Sequence, residues 1–197
     1  MSELNPIVKR MRAALSEYHQ KAIATIQKTE KMKAELLPDV AVERIAAAQA
    51  ELNNVKLVTI DKIMAAAKEG KTAAVEWGKL KANEINQADS ALLNSGIKLT
   101  QNEYDELCTK YKNNGTMSRI LSEYADRHNR QANGQMDKLL FTPCLATVTK
   151  KTEVWDRLER TAHMIIGNID GKRGFVSGAE NPLVKESVDN FGLNTEV

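Results

Sequence analysis

Several residue types are scarce in this chain, and each scarcity excludes a class of protein. Its 197 residues include two cysteines, Cys108 and Cys144, which are too few for the disulfide framework of a small secreted domain. No apolar run reaches the roughly 18 residues of a membrane span, and no apolar segment follows the basic residues near the N-terminus. The sequence therefore predicts free thiols in a reducing compartment, no membrane span and no secretion signal.

An excess of charge of one sign is also missing. The formal net charge is +2, and residues 1–95 carry 14 Lys and Arg against 12 Asp and Glu, while the remaining residues carry 14 of each. Binding to nucleic acid or to an anionic membrane needs a concentrated basic field. The charge distribution therefore disfavours nucleic acid as a partner and predicts no membrane association.

Glycine and aromatic residues are rare in the first half of the chain and return in the second. Residues 1–95 hold two of the ten glycines and two of the nine aromatic residues, and they are rich in Ala, Lys, Glu, Leu and Ile. This composition is typical of long helices. We expect an all-α protein with a long helical hairpin arm over 1–95, a small helical domain over 96–166 and a Gly-containing tail over 167–197.

The first helix of the arm has clear start and stop signals. Asn5 can cap it, and Pro6 suits its first position, where the missing N–H costs nothing. Apolar residues then recur in steps of three and four, which places them on one seam. Pro38 ends the helix, because the residue before a proline is pushed out of the α region.

Asp39 can cap the second helix, which is expected to run antiparallel to the first, since the connection at Pro38 is short. Gly70 is expected to break or bend it. A third helical stretch then follows, and Gly96 is expected to end it in a left-handed conformation.

The arm has more apolar surface than one narrow hairpin can cover. Long helices of this kind gain most of their stability from tertiary packing. We therefore expect the seam to pack against other copies of the chain or against another protein. The residues expected at this interface are Val8, Met11, Leu15, Tyr18, Ile45, Leu52, Ile60 and Ile63.

The second half predicts a unit of two short helices. Thr100 and Glu103 have the spacing of a capping box at the start of a helix, and another helix opens near Thr116. Residues 100–129 therefore form a unit that resembles a helix-turn-helix in outline.

A further helix is predicted over 152–166, with Gly167 as its stop, and residues 167–178 are expected to form a loop or small hairpin. The cap and proline at Asn181 and Pro182 predict a short terminal helix. The expected core of the small domain consists of Tyr104, Leu107, Leu121, Tyr124, Trp155 and Leu158.

No catalytic or metal site is predicted. The candidate ligands Cys108, His128, Cys144 and His163 are separated by 16 to 20 residues, whereas structural zinc sites take pairs of ligands from one tight turn. Cys108 has the position of a small core residue, and Cys144 is the better candidate for a reactive thiol, but no base or cation is placed beside it. We expect neither enzymatic activity nor a cofactor.

Three arginines on the second helix of the 100–129 unit leave one alternative open. Arg119, Arg127 and Arg130 could contact nucleic acid, as the recognition helix of a helix-turn-helix protein does. Glu123 and Asp126 lie among them, and phosphate contact needs a face that is basic on one side. Two packed amphipathic helices are the simpler interpretation.

Three stretches carry a family resemblance: residues 35–40 (ELLPDV), 99–111 (LTQNEYDELCTKY) and 116–128 (TMSRILSEYADRH). They belong to a helical layout over residues 10–130. This layout resembles small helical proteins encoded among the head and tail genes of tailed bacteriophages. The resemblance implies a virion or assembly component that works by protein–protein contact, and it brings no defined catalytic or binding residues.

We therefore expect a non-enzymatic structural or assembly protein that is head-associated, decoration-like or scaffold-like. Its expected partners are further copies of itself, other virion proteins such as the capsid protein, or both. Its expected location is the virion or the host cytoplasm. The alternative function is that of a helical nucleic-acid-binding protein that uses residues 100–129.

Overall fold

The structure, a computed structural model, describes residues 5–132, 141, 148–171 and 178–193. This part of the chain is all-helical and contains no strand, which confirms the predicted fold class. A short 3₁₀ turn at Ala82–Glu84 lies between the second and third of its helices. The helices are α1 (Pro6–Glu35), α2 (Pro38–Trp77), α3 (Gln87–Asn94), α4 (Gln101–Lys110), α5 (Gly115–Ala132), α6 (Val148–Ile169) and α7 (Pro182–Asp189).

The chain divides into two compact units, and the boundary falls inside α2 and inside α6. Unit 1 comprises Met1–Gly70 and Val154–Val197, and unit 2 comprises Lys71–Glu153. This division differs from the expected one at 1–95, 96–166 and 167–197. The described residues among 167–197 pack with the first 70 residues and do not form a separate tail, because Ile169, Val184, Val188 and Phe191 are buried in the same unit.

In unit 1, α1 and α2 pack together as the long hairpin that the sequence predicted. Two ion pairs show its register: Arg10 binds Glu69 at 2.7 Å, and Lys62 binds Glu17 at 3.2 Å. The second pair lies seven residues further along α1 and seven residues earlier in α2. The two helices therefore run antiparallel, with each step forward in α1 matched by a step back in α2.

The terminal helix covers the inner end of this hairpin. Asn181 caps α7 as predicted, and the apolar face of α7 packs on α1. The Arg12 side chain donates two hydrogen bonds, of 2.9 and 2.6 Å, to the carbonyl oxygen of Phe191. Gly192, with a φ of 74°, brings the backbone against Val8, where a larger residue would overlap. These contacts make the C-terminal segment part of the core of unit 1.

Of the break or bend expected at Gly70, the break is wrong, because α2 continues through this residue to Trp77. The indole ring of Trp155 lies directly on the backbone of Gly70, so a Cβ there would overlap the ring. Glycine inside a helix costs about 1 kcal/mol relative to alanine, and burial of the tryptophan offsets this cost. Trp155 and Leu158 are buried in unit 1 and do not belong to the tyrosine cluster, so their expected place in the core of the small domain is wrong.

Gly167 does not end α6 either, because the helix continues to Ile169. The extra half-turn buries Ile169, which is 4% exposed, beside Ile165 and Ile166. The left-handed backbone comes only at Gly171, with a φ of 70°. The stop predicted at Gly96 is confirmed, since Gly96 has a φ of 78°.

Unit 2 is built around a cluster of aromatic side chains. The predicted capping box of Thr100 and Glu103 starts α4. The ring of Tyr104 stacks on that of Phe141 with centroids 4.8 Å apart, and the hydroxyl of Tyr124 accepts a hydrogen bond of 3.0 Å from the Leu99 amide. The buried members of the cluster are Leu93, Leu99, Tyr104, Tyr111, Met117, Leu121, Tyr124, Ala125 and Phe141. Leu107 packs on it half-buried, so four of the six expected core residues belong here.

Replacing Gly70 by alanine is expected to lower the free energy of unfolding by about 1–3 kcal/mol, because the added methyl group meets the Trp155 ring. At a helix position without such a contact, the same change would raise the free energy of unfolding by about 0.4–1 kcal/mol. Chemical denaturation of G70A, W155A and the double variant checks this. The double variant should be no less stable than W155A, because without the ring the added methyl group meets nothing. If the stability losses of G70A and W155A simply add in the double variant, the two residues are not in contact.

Candidate interaction surface

The eight residues predicted at an oligomer interface all lie along the hairpin, but the structure divides them into two groups. Five are buried inside unit 1, each at most 1% exposed: Val8, Met11, Leu15, Tyr18 and Ile63. Three on α2 are half-buried: Ile45, Leu52 and Ile60. The first five form the chain's own core, because the C-terminal segment covers that end of the hairpin. A surface for a partner must use other side chains.

A polar cluster marks the outer limit of this core. The Tyr18 hydroxyl donates to one carboxylate oxygen of Asp170, and Lys56 Nζ donates to the other at 2.6 Å. The side chains of Asp170 and Lys56 are only 12% and 21% exposed, so salt screens this pair less than a surface pair. Burial, and then the bond to Asp170, raises the pKa of Tyr18 well above its usual value. One carboxylate thus ties α1, α2 and the end of α6 together.

Beyond this cluster the hairpin is a layer of two helices. In its outer half, which we define as residues 23–55, α1 buries only Thr29, and α2 buries only Ala41 and Ala48. These side chains are small and allow the two helices to approach closely. Larger apolar residues flank them and stay half-buried: Ile23, Ile26, Met32, Leu36, Ile45, Leu52 and Val55.

The tip of the hairpin exposes further apolar side chains. Leu37 is 76% exposed and Val42 69%, and Val40 between them is 40% exposed. Single exposed aliphatic residues are ordinary on protein surfaces. Several together, continuous with a half-buried stripe, are typical of an interaction surface. The outer half of the hairpin is therefore the candidate surface.

The three arginines considered for nucleic-acid contact are exposed on α5. Arg119 pairs with Glu123 at 3.2 Å, one turn away, and Arg127 donates to Asn94 at 3.4 Å. Arg127 and Arg130 line a groove between α3 and α5, but Glu123 lines it too. This face is of mixed charge, so nucleic-acid contact stays a prediction without support from the geometry.

The cysteine and histidine residues are dispersed. Cys108 is half-buried against the aromatic cluster of unit 2, where the His128 ring stacks on Phe141 with centroids 4.1 Å apart. His163 is half-buried on α6, and Cys144 lies outside the described residues. In the ranges that the structure describes, no three His, Cys, Asp or Glu side chains come close enough to hold a metal ion.

A second carboxylate cluster holds α3 to the end of α4 in unit 2. Asp89 accepts a hydrogen bond of 2.6 Å from Lys110 Nζ and one of 2.5 Å from the Tyr111 hydroxyl. The bond from Lys110, and then that from Tyr111, holds the pKa of Asp89 below its usual value. Sequence reasoning missed both Asp89 and Asp170, because their partners come from distant parts of the chain and no local motif marks them.

Comparison with known proteins gives no relative. No family model matches the chain, and no curated protein or solved structure matches it. Among the helices in the described residues, none combines the length and the apolar character that crossing a membrane requires.

Replacing Asp170 by asparagine should lower the stability of unit 1 by about 1–3 kcal/mol, because it leaves the half-buried Lys56 without its counter-charge. Urea denaturation followed by circular dichroism measures the loss. Asp61→Asn, at an exposed position on α2, is the matched control and should change stability by less than about 0.5 kcal/mol. Equal effects of the two variants would show that the cluster stabilises nothing.

The Asp89 cluster predicts a pH dependence of stability. Because the pKa of Asp89 is lowered in the folded chain, its contribution is complete above the ordinary value of 3.8 and is lost as the pH falls through the lowered pKa. The stability difference between the natural chain and Asp89→Asn should therefore shrink below about pH 4. Denaturation curves between about pH 2 and 7 test this. A difference that stays constant over that range would contradict it.

Proposed function

We propose that this chain is a non-enzymatic structural or assembly component of a tailed bacteriophage, and that it acts by protein–protein contact as a homo-oligomer. The observation that carries the proposal is the outer half of the hairpin, where a two-helix layer keeps its aliphatic stripe half-exposed. The inner half of the same hairpin, closed by the C-terminal segment, buries its stripe almost completely. The outer half is the part that still requires a cover.

The energetics favour contact along the whole outer half over contact at the tip alone. Full burial of a Leu or Val side chain contributes about 1.5–3 kcal/mol, so covering the exposed parts of Leu37 and Val42 contributes about 3 kcal/mol. Association costs about 4–15 kcal/mol in lost freedom. A stable contact therefore needs the half-buried stripe as well as the tip.

The phage context is supported by the layout of residues 35–40, 99–111 and 116–128, which resembles small head and tail proteins. Mass spectrometry of purified particles and of their assembly precursors tests it. We expect the chain in at least one of the two. Its absence from both would contradict a virion or assembly role.

Apolar contact at the tip predicts a loss of assembly when the tip is made charged. Light scattering of the natural chain should give a mass that rises with concentration above the 21.9 kDa of one chain. Leu37→Glu combined with Val42→Glu should raise the dissociation constant at least tenfold, because about 3 kcal/mol of burial is lost.

Leu183→Glu combined with Leu193→Glu is the matched control for that experiment. Leu183 on α7 and Leu193 just beyond it lie in the same unit and are each 52% exposed, so the pair adds the same two negative charges away from the hairpin tip. Assembly of the control should equal that of the natural chain. Equal weakening by the control and by the tip variant would show that the tip has no special role.

A further inference from the structure

The outer half of the hairpin carries charged residues in a pattern that points to the identity of its partner. One row follows steps of four and three residues along α1, which places it on one side of that helix: Lys21, Thr25, Lys28, Met32 and Glu35. A second row follows the same steps along α2: Arg44, Ala48, Glu51, Val55 and Val58. We call the two rows together the charged face.

The charges of this face are available to a partner. Lys28, Arg44 and Glu51 are exposed, and none of them forms an ion pair within the described residues. Glu35 has only an exposed contact of 3.8 Å with Lys31 on its own helix. Exposed pairs of this kind contribute little, so exchanging such a contact costs little.

The register of the hairpin places these charges at matching levels. Continuing outward from the pair of Glu17 and Lys62, the antiparallel register brings Lys28 level with Glu51. Seven residues further out, it brings Glu35 level with Arg44. Each of these two levels therefore has a charge of one sign on α1 and of the other sign on α2, with no ion pair between them within the described residues.

Such a face is complementary to itself. A two-fold axis parallel to the helices would put α1 of one chain beside α2 of a second chain, with both tips at the same end. Lys28 would then face Glu51, and Glu35 would face Arg44, each twice. The half-buried Thr25, Met32 and Val55 would lie between these pairs, and the exposed apolar tips would meet.

A two-fold axis across the helices also offers charge pairs, Lys28 with Glu35 and Arg44 with Glu51. It places the tips at opposite ends, so the two chains overlap over only a few outer turns. Burial of apolar area drives association, and the parallel axis covers the charged face over the full length of the outer half and brings the two tips together. The parallel arrangement is therefore the favoured one.

We infer that the partner of the charged face is a second copy of this chain, docked about a two-fold axis parallel to α1 and α2 to give a four-helix bundle. This inference rests on the proposed function, and it specifies how two copies of the chain would dock. Charged residues beside a helical seam act mainly on the choice and orientation of the partner. Burial of Met32, Val55 and the exposed apolar residues of the tip supplies the affinity.

The test uses charge reversal in the full chain and measurement of mass by light scattering or sedimentation. Lys28→Glu and Glu51→Lys should each weaken the dimer about tenfold, because each replaces two attractive contacts by two repulsive ones. An equimolar mixture of the two variants should restore it as a heterodimer, since Glu at 28 then meets Lys at 51 on the other chain. The double variant should dimerise like the natural chain.

Asp61→Lys is the control for the general effect of reversing one charge on α2. Asp61 is exposed on α2 outside the charged face, so its reversal should leave the dimer unchanged. Circular dichroism of every variant establishes that helix content is retained. Weakening by the control as large as that by Glu51→Lys would overturn the inference.

The other outcomes separate this inference from the proposed function. A natural chain that assembles, with reversals at 28 and 51 having no effect, would overturn the inference and leave the proposed function standing. Weakening by both single reversals without rescue in the mixture would overturn the parallel axis, and with it the inference. A natural chain that stays monomeric yet is present in purified particles would overturn self-docking and leave an assembly role with a different protein.

Discussion

Two packed helices can bury only the stripe that each turns towards the other, and this constraint governs unit 1. A long hairpin keeps two broad faces in water unless a third layer covers it. Residues near the C-terminus provide that layer for the inner half, where Leu15 and Ile63 have no exposed area. The outer half has only small buried residues, such as Ala41 and Ala48, and larger aliphatic residues at the edges of the seam. The difference between the two halves is the physical basis of the proposed role.

The contacts that join the C-terminal segment to the hairpin depend on side-chain size and on pairing of charge. The indole of Trp155 can lie on α2 only because residue 70 lacks a Cβ, and the backbone near Val8 can approach only because residue 192 is glycine. Asp170 then joins three helices through Tyr18 and Lys56. Glycine has a low intrinsic propensity for helix and strand. At both positions, however, its missing side chain permits close tertiary packing.

The sequence was most informative about features that neighbouring residues decide. The caps at Asn5, Thr100 and Asn181, the stop at Gly96 and the hairpin at Pro38 all follow from interactions within one turn. The unit boundaries, the continuation of α2 through Gly70 and the Asp170 cluster follow from contacts between residues about 40 to 150 positions apart, and no local pattern encodes them. For the candidate surface, the spacing of apolar residues located the hairpin stripe, but it could not show which half the rest of the chain would cover.

Unit 1 is discontinuous in sequence, since the chain leaves it after Gly70 and re-enters it at Val154. A ribosome releases the first 70 residues long before it makes α6 and α7. During that interval the nascent hairpin has no cover for Val8, Met11 or Leu15, and exposed stripes of this kind are bound by chaperones or by a neighbouring chain. The aromatic cluster of unit 2 does not wait for those helices to be complete, because Tyr104, Leu121 and Phe141 all precede Val154 in the chain. We therefore expect the inserted unit to complete its core first, and the surrounding unit to do so only when α7 has been synthesised.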